Sequence, residues 1–149
     1  MPAATRQRHP DQSARTIRSL RRALAEVEIT NSRPELTLQR RARAVLKSLR
    51  SLPAAILIAN DRGRYVDVNR AAAVLTGYTR RELLACSVWD LTPNVRQTLG
   101  RRLWREFLAR GSMSGVYQVK KKNGTIIRAR YVAVANVLPG VHVSALTVP

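Results

Sequence analysis

The sequence predicts an α+β domain with one antiparallel, five-stranded sheet, short helices and one long helix on one face, and further helices before it. An apolar run at 54–59, turn residues at 60–63 and an alternating run at 65–68 predict a first hairpin. Asn123-Gly124 lies between two alternating runs and predicts a second hairpin. Because the strands flank the helices instead of alternating with them, the order excludes a doubly wound parallel sheet. The later strands are predicted at 116–122, 125–134 and 141–148.

The helices between the two hairpins have recognisable ends. Asn69 is suited to cap a helix over 70–76, and Gly77 suits the left-handed position that ends it. Another short helix follows. A long amphipathic helix then begins at Pro93, which is tolerated in a first helical turn, and Gly111 ends it.

The residues before this domain divide into two segments. Residues 1–13 contain two prolines and few apolar residues, which predicts a disordered basic tail. Residues 14–52 predict a helical segment, and Ser32 and Glu35 have the capping-box spacing of a helix start. Apolar side chains recur there at intervals of three and four, so the helices either form a dimer or pack on the domain at 53–149. The dimer-interface candidates are Ile17, Leu20, Leu24, Val27, Leu38, Val45 and Leu49.

The net charge of +18 is the most conspicuous feature of the composition. Such a surface attracts polyanions at low salt, although a compositional preference for arginine explains it equally well. The alternative function suggested by the charge is a nucleic-acid-binding regulator that uses arginines of the N-terminal helices. These arginines are Arg15, Arg18, Arg21, Arg22, Arg40, Arg41 and Arg43.

Other classes of protein are disfavoured by what the sequence lacks. A single cysteine, Cys86, excludes an internal disulfide, and with only His9 and His142 no metal site is expected. No apolar run reaches the roughly 18 residues of a membrane span, and no secretory signal is recognisable, so we expect a cytoplasmic protein. No Ser/His/Asp set, paired carboxylates or phosphate-binding glycine loop is recognisable, so we expect no enzyme. Asp61 and Asp67 are interpreted as flanking a surface turn.

A series of short motifs carries a resemblance to a known family. The motifs are LPAAIL at 52–57, NDRGR at 60–64, VNRAA at 68–72, LTGY at 75–78, RELL at 81–84, DLTP at 90–93 and KKNGT at 121–125. In this order and at these spacings, residues from about 52 to 148 resemble a PAS domain, the sensor module of bacterial signalling proteins and many transcription regulators. The resemblance implies a sheet and helices that enclose a small pocket.

The resemblance leaves the identity of a ligand open, since PAS domains hold haem, flavins, small metabolites or nothing. We do not expect haem, because the long helix has no histidine and His142 is on the last strand. A light-sensing flavin is not expected either, because Cys86 falls short of the photoactive position and the flavin-contacting Asn and Gln are absent. Cys86 is interpreted as a small buried hydrophobe, with redox sensing as the alternative.

The pocket candidates either line a cavity with apolar walls and a few polar groups, as in ligand pockets, or fill the core. Asn60 and Tyr117 are expected to orient a ligand, and Trp89 and Trp104 are either core residues or interface anchors. We expect a sensory module that binds a ligand or partner and relays the change through its N-terminal helices. It would act as a homodimer with a kinase or a transcription regulator. The pocket candidates are Ile56, Ile58, Asn60, Leu75, Val88, Leu91, Leu103, Phe107, Tyr117, Val119 and Tyr131.

Overall fold

A computed structural model describes residues 37–93 and 97–148, together with residue 15 and residues 18–22, which are helical. Within these residues, no helix is both long and apolar enough to span a bilayer. The predicted order of strands, helices and strands is confirmed. The elements are α1 (Leu38–Ser48), β1 (Ala55–Ala59), β2 (Tyr65–Val68), α2 (Arg70–Thr76), α3 (Arg80–Leu83), a 3₁₀ turn (Val88–Leu91), α4 (Gln97–Arg110), β3 (Ser112–Lys120), β4 (Ile126–Leu138) and β5 (Val141–Thr147).

The five strands form one antiparallel sheet in the order β2-β1-β5-β4-β3. The last strand is therefore the central one. It pairs with β1 on one side, where Ile56 lies opposite Ala145, and with β4 on the other, where Val132 lies opposite Ala145. The α+β class and the five-stranded antiparallel sheet predicted from the sequence are confirmed.

The sheet is covered on both faces, and alternate residues of β1 belong to two different cores. Successive side chains of a strand point to opposite faces. Ile56 and Ile58 pack in a first core with Leu20, Val45 and other apolar residues of the N-terminal helices. Leu57 packs in a second core on the opposite face, together with residues of the helices that follow β2.

The N-terminal helices pack on the protomer's own sheet. Leu20, Val45 and Leu49 are fully buried in the first core, and Leu38 is partly buried against it. For these residues the structure therefore favours packing on the domain over a dimer seam, because no surface of the three buried side chains is left for a second copy. Whether the chain also dimerises stays a prediction. The remaining dimer candidates, Ile17, Leu24 and Val27, lie outside the described residues.

The start of α1 differs from the expectation. The predicted capping pair, Ser32 and Glu35, lies outside the described residues. In the structure, Thr37 is extended and its hydroxyl accepts a hydrogen bond from Arg40 N at 3.3 Å, which makes Thr37 the N-cap of α1. Threonine fulfils this role for the same reason as serine, since its side chain satisfies a backbone N–H with no partner in the helix.

Asn69 joins the first helix after the hairpin to strand β1. Its side-chain oxygen accepts hydrogen bonds from Ala72 N and Ile56 N, both at 2.9 Å. Its amide nitrogen donates to Ala54 O at 2.9 Å. The sequence predicted only the cap of α2, and the cap is confirmed. The bonds to Ile56 on β1 and to Ala54 just before it fix where the helix leaves the sheet.

Asp67 lies on β2 beyond the turn that it was interpreted as flanking, and it is buried, which the sequence did not predict. Its side chain is 4% exposed, and Oδ1 accepts hydrogen bonds from Arg80 Nε at 3.0 Å and Nη2 at 2.9 Å. A buried carboxylate needs a paired positive charge and further hydrogen bonds. Arg80, thirteen residues further along the chain, supplies both and attaches α3 to β2.

We predict that Asn69→Ala lowers the free energy of unfolding by about 2–3 kcal/mol, because one substitution removes a cap and the bonds to Ile56 and Ala54. Thr37→Ala, which removes only an exposed cap, is the matched control and should reduce it by about 1 kcal/mol or less. Urea denaturation of both variants measures the difference. Equal losses would show that the bonds from Asn69 to Ile56 and Ala54 add nothing to the fold.

Candidate ligand-binding site

A cavity of about 240 Å³ lies between α4 and the second face of the sheet. Strands β1, β4 and β5 contribute its floor, including Leu57, Ala133 and Ser144. Its roof comes from the 3₁₀ turn and from α4, through Leu103 and Phe107 among others. Most of the wall is apolar, with few hydroxyl groups, which is the composition of a site for a small organic ligand.

The structure brings some of the predicted pocket residues together. These side chains come from the 3₁₀ turn, α4, β3 and β4, which are distant in sequence but converge on one cavity. Tyr117 and Tyr131 lie edge to face, with ring centroids 5.8 Å apart, and form one wall. The predicted residues that line the cavity are Val88, Leu103, Phe107, Tyr117 and Tyr131.

The prediction is wrong for Ile56 and Ile58, which lie on the opposite face of the sheet in the first core. Leu57, between them, lines the cavity. The run at 54–59 is buried throughout, so its sequence has no polar alternation that could indicate which residues face the helices. Two choices of face were equally consistent with the sequence.

Four other predicted residues lie outside the cavity wall. Leu91 and Val119 are buried in the second core, and Leu75 packs at its edge. Asn60 is in the turn after β1, where its side-chain oxygen accepts hydrogen bonds from Arg62 N at 2.9 Å and Arg64 N at 3.1 Å. Asn60 therefore shapes the turn and is not placed to orient a ligand in the cavity.

Both tryptophans line the cavity, whereas the sequence suggested only a core residue or an interface anchor for each. Trp104 lies one helical turn before Phe107 on α4, and their ring centroids are 5.2 Å apart. The sequence could have predicted that Trp104 lines the cavity with Phe107, since residues three apart on a helix are neighbours. No comparable spacing in the sequence indicated which residues of the strands line the cavity. The residues that sequence reasoning missed are Leu57, Tyr65, Thr92, Gly100, Met113, Ala133, Ser144 and Leu146.

Gly63 in the first hairpin allows Trp89 to approach the turn closely. A Cβ built at Gly63 would lie 2.7 Å from Trp89 Cζ3, and the residue has a φ of +74°. Both conditions require glycine, because a side chain would collide with the indole ring and the left-handed backbone disfavours L-residues. The turn therefore fixes where one wall of the cavity lies.

A buried histidine attaches α4 to the sheet. His142 on β5 accepts a hydrogen bond from Asn136 N on Nδ1 at 2.9 Å, so Nε2 carries the hydrogen and donates to Asp61 Oδ1 at 2.8 Å. The backbone oxygen of Asp61 accepts a hydrogen bond from Trp104 Nε1 at 2.8 Å. Both nitrogens of His142 are thus engaged in the fold, and the contact positions α4 over the cavity.

The tyrosines and the cysteine near the cavity stay protonated at neutral pH. Burial raises the pKa of Tyr117 to about 12 and the pKa of Tyr131 above its ordinary value. Burial is also the main cause that raises the pKa of the Cys86 thiol, which donates to Glu82 O at 3.3 Å. A raised thiol pKa disfavours the thiolate needed for redox chemistry, so the structure favours Cys86 as a small hydrophobe.

The arginines proposed for nucleic-acid binding are not all available for contact. Arg40 and Arg43 on α1 are exposed. Arg41 between them is partly buried, and its Nη1 donates to Pro139 O at 2.8 Å. Arg41 therefore links α1 to the β4–β5 turn and has a structural role in the fold.

The family model described as the PAS fold matches residues 49–134. The chain belongs to the PAS fold family. No curated protein matches the chain. The fold resembles a domain of a sensory box sensor histidine kinase/response regulator from Geobacter sulfurreducens, with a TM-score of 0.59, 24% identity and coverage of 70% of this chain and 91% of that one.

Two further PAS domains have a similar fold. One is from a Desulfitobacterium hafniense protein, with a TM-score of 0.56, 26% identity, and coverage of 66% of this chain and 93% of that one. The other is from a LuxR-family transcriptional regulator of Burkholderia thailandensis and is in complex with ethanol. Its TM-score is 0.55 at 20% identity, and the match covers 68% of this chain and 93% of that one. PAS domains of similar fold thus occur in a sensor histidine kinase/response regulator and in a transcriptional regulator.

We predict that Gly63→Ala destabilises the PAS domain more than Gly124→Ala. Each substitution places alanine at a positive φ, which costs about 1–2 kcal/mol. At Gly124 nothing lies within 4 Å of an added Cβ, whereas at Gly63 the collision with Trp89 should add about 1–3 kcal/mol. Urea denaturation followed by circular dichroism measures both losses. Equal losses would mean that Trp89 moves aside freely.

Proposed function

We propose that this PAS domain is a sensory module in which a small ligand enters the cavity beneath α4, and its presence alters how the N-terminal helices pack. The module acts by binding and not by catalysis. It works in the cytoplasm, as a homodimer, and passes the signal to a partner protein, either a kinase or a transcription regulator. The other source of the signal considered from the sequence, a bound partner protein, is the alternative to a small ligand.

The observation that carries this proposal is the alternation of residues along the shared strands. On β5, Ser144 lines the cavity, while its neighbours Val143 and Ala145 pack in the first core with α1. On β4, Ala133 lines the cavity, while its neighbour Val132 packs in the first core. A ligand that displaces the cavity side of a strand therefore displaces side chains that contact α1, because packed cores transmit strain.

The incomplete cover of the cavity supports entry of a ligand. Phe107 is 6% exposed, but Leu103, one turn earlier on α4, is 45% exposed although it also lines the cavity. Leu99, a further turn away, is 47% exposed. The apolar stripe of α4 is thus only partly covered by the sheet, and an apolar ligand would bury more of it.

The two tryptophans offer a direct test, because both line the cavity and the chain has no others. We predict a saturable change in tryptophan fluorescence when the protein is titrated with octanol. Ala133→Phe places a large ring in the cavity and should weaken this response by about tenfold or more.

The matched control is Ala85→Phe, which adds the same ring at an exposed position and should leave the response unchanged. Circular dichroism shows whether both variants are folded. A folded Ala133→Phe protein that responds to octanol like the unsubstituted protein would contradict the proposed pocket.

A further inference from the structure

A second, open groove of about 750 Å³ lies next to the cavity and has a basic wall. Arg62 and Arg64 come from the turn between β1 and β2, on either side of Gly63. Arg101 and Arg105 come from α4, four residues apart and therefore on one face of the helix. All four arginines are exposed. The positive charge that lines the groove therefore comes from two separate segments of the chain.

Within the described residues of the chain, none of these four arginines forms an ion pair with a carboxylate. The carboxylates on the elements that form the groove are occupied in other ways. Asp61 accepts from His142, Asp90 accepts from Ser87 N at 2.7 Å, and Glu106 pairs with Arg110 at 2.7 Å. The positive charge in the groove is therefore not neutralised by an ion pair with any carboxylate in the described part of the chain.

Trp89 and Trp104 line both the basic groove and the apolar cavity. One contact fixes each indole ring, since Trp89 lies against Gly63 and Trp104 donates to the backbone of Asp61. The two spaces therefore meet at a pair of fixed aromatic walls. A ligand in contact with these rings can extend an apolar group into the cavity and a charged group into the groove.

We infer that this site takes a small organic anion, with an apolar body in the cavity and a carboxylate or phosphate head in the arginine groove. The inference rests on the proposed sensory function and specifies its ligand. Arginine suits such a head because its planar guanidinium donates two parallel hydrogen bonds to carboxylate or phosphate oxygens. The groove is open and large enough for a carboxylate head or a phosphate head.

The test is isothermal titration calorimetry of the whole chain with octanoate, octyl phosphate, octanol and inorganic phosphate. We expect octanoate or octyl phosphate to bind about tenfold or more tightly than octanol, since a head held by arginine adds charge-assisted hydrogen bonds. The tighter of the two identifies the head. Inorganic phosphate, which has no apolar body, should bind much more weakly than either.

Variants locate the contribution of the groove. Arg64→Gln with Arg101→Gln should weaken binding of the preferred anion about tenfold or more and leave octanol binding unchanged. The matched control is Arg81→Gln with Arg102→Gln, which removes the same charge from exposed positions outside the groove. This control should lower the affinity for the anion only slightly, through the general field of the protein.

The outcomes separate the two proposals. If octanol binds as tightly as both anions, or if the control pair weakens anion binding as much as the groove pair, the anion site is overturned and the apolar pocket stands. If inorganic phosphate binds as tightly as the octyl anions, the groove is an independent anion site and the joint site is overturned. If no octyl probe binds, both proposals fail.

Discussion

The fold depends on a sheet that is buried on both faces, so that neighbouring side chains of a single strand must satisfy two different cores. On β1 this constraint makes every residue apolar and buried. Ile56 belongs to the core of the N-terminal helices, and Leu57 belongs to the cavity. Because one backbone connects them, we expect the position of α1 to depend on the shape of the cavity. The proposed relay needs no further element.

The cavity lies beneath α4, which is attached to the rest of the domain at particular points. The hydrogen bond from Trp104 to the backbone of Asp61, and the contact of Asp61 with buried His142, attach α4 to the first hairpin and to β5. Phe107 packs inward, whereas Leu103 stays half exposed. A helix attached in this way leaves unfilled volume beneath it, which close-packed cores normally lack. The same attachment places Arg101 and Arg105 beside the hairpin arginines.

Local chemistry in the sequence predicted much of the fold. The cap at Asn69, the positive φ at Gly77 and the Asn123-Gly124 turn each depend on a few neighbouring residues, and all three are found in the structure. The cavity was harder to predict, because a strand buried on both faces has no polar alternation that shows which side chains face the helices. The apolar spacing at Val45 and Leu49 was equally ambiguous, since a helix uses one apolar face for a dimer or for its own sheet. Tertiary packing shows that Leu57 faces the cavity and places Val45 and Leu49 against the sheet of the same chain.

Amide hydrogen exchange in α1, with and without octanol in the cavity, tests most directly whether the sheet couples the cavity to the N-terminal helices. We predict that octanol changes the exchange rates of amides at 38–49, although no residue of this segment lines the cavity. In Ala133→Phe the change should be lost. The hairpin turn at 121–125, which is exposed over most of its length, serves as an internal reference. If octanol protects only α4 and the cavity side of the sheet while α1 exchanges at the same rate, the sheet does not couple the two cores.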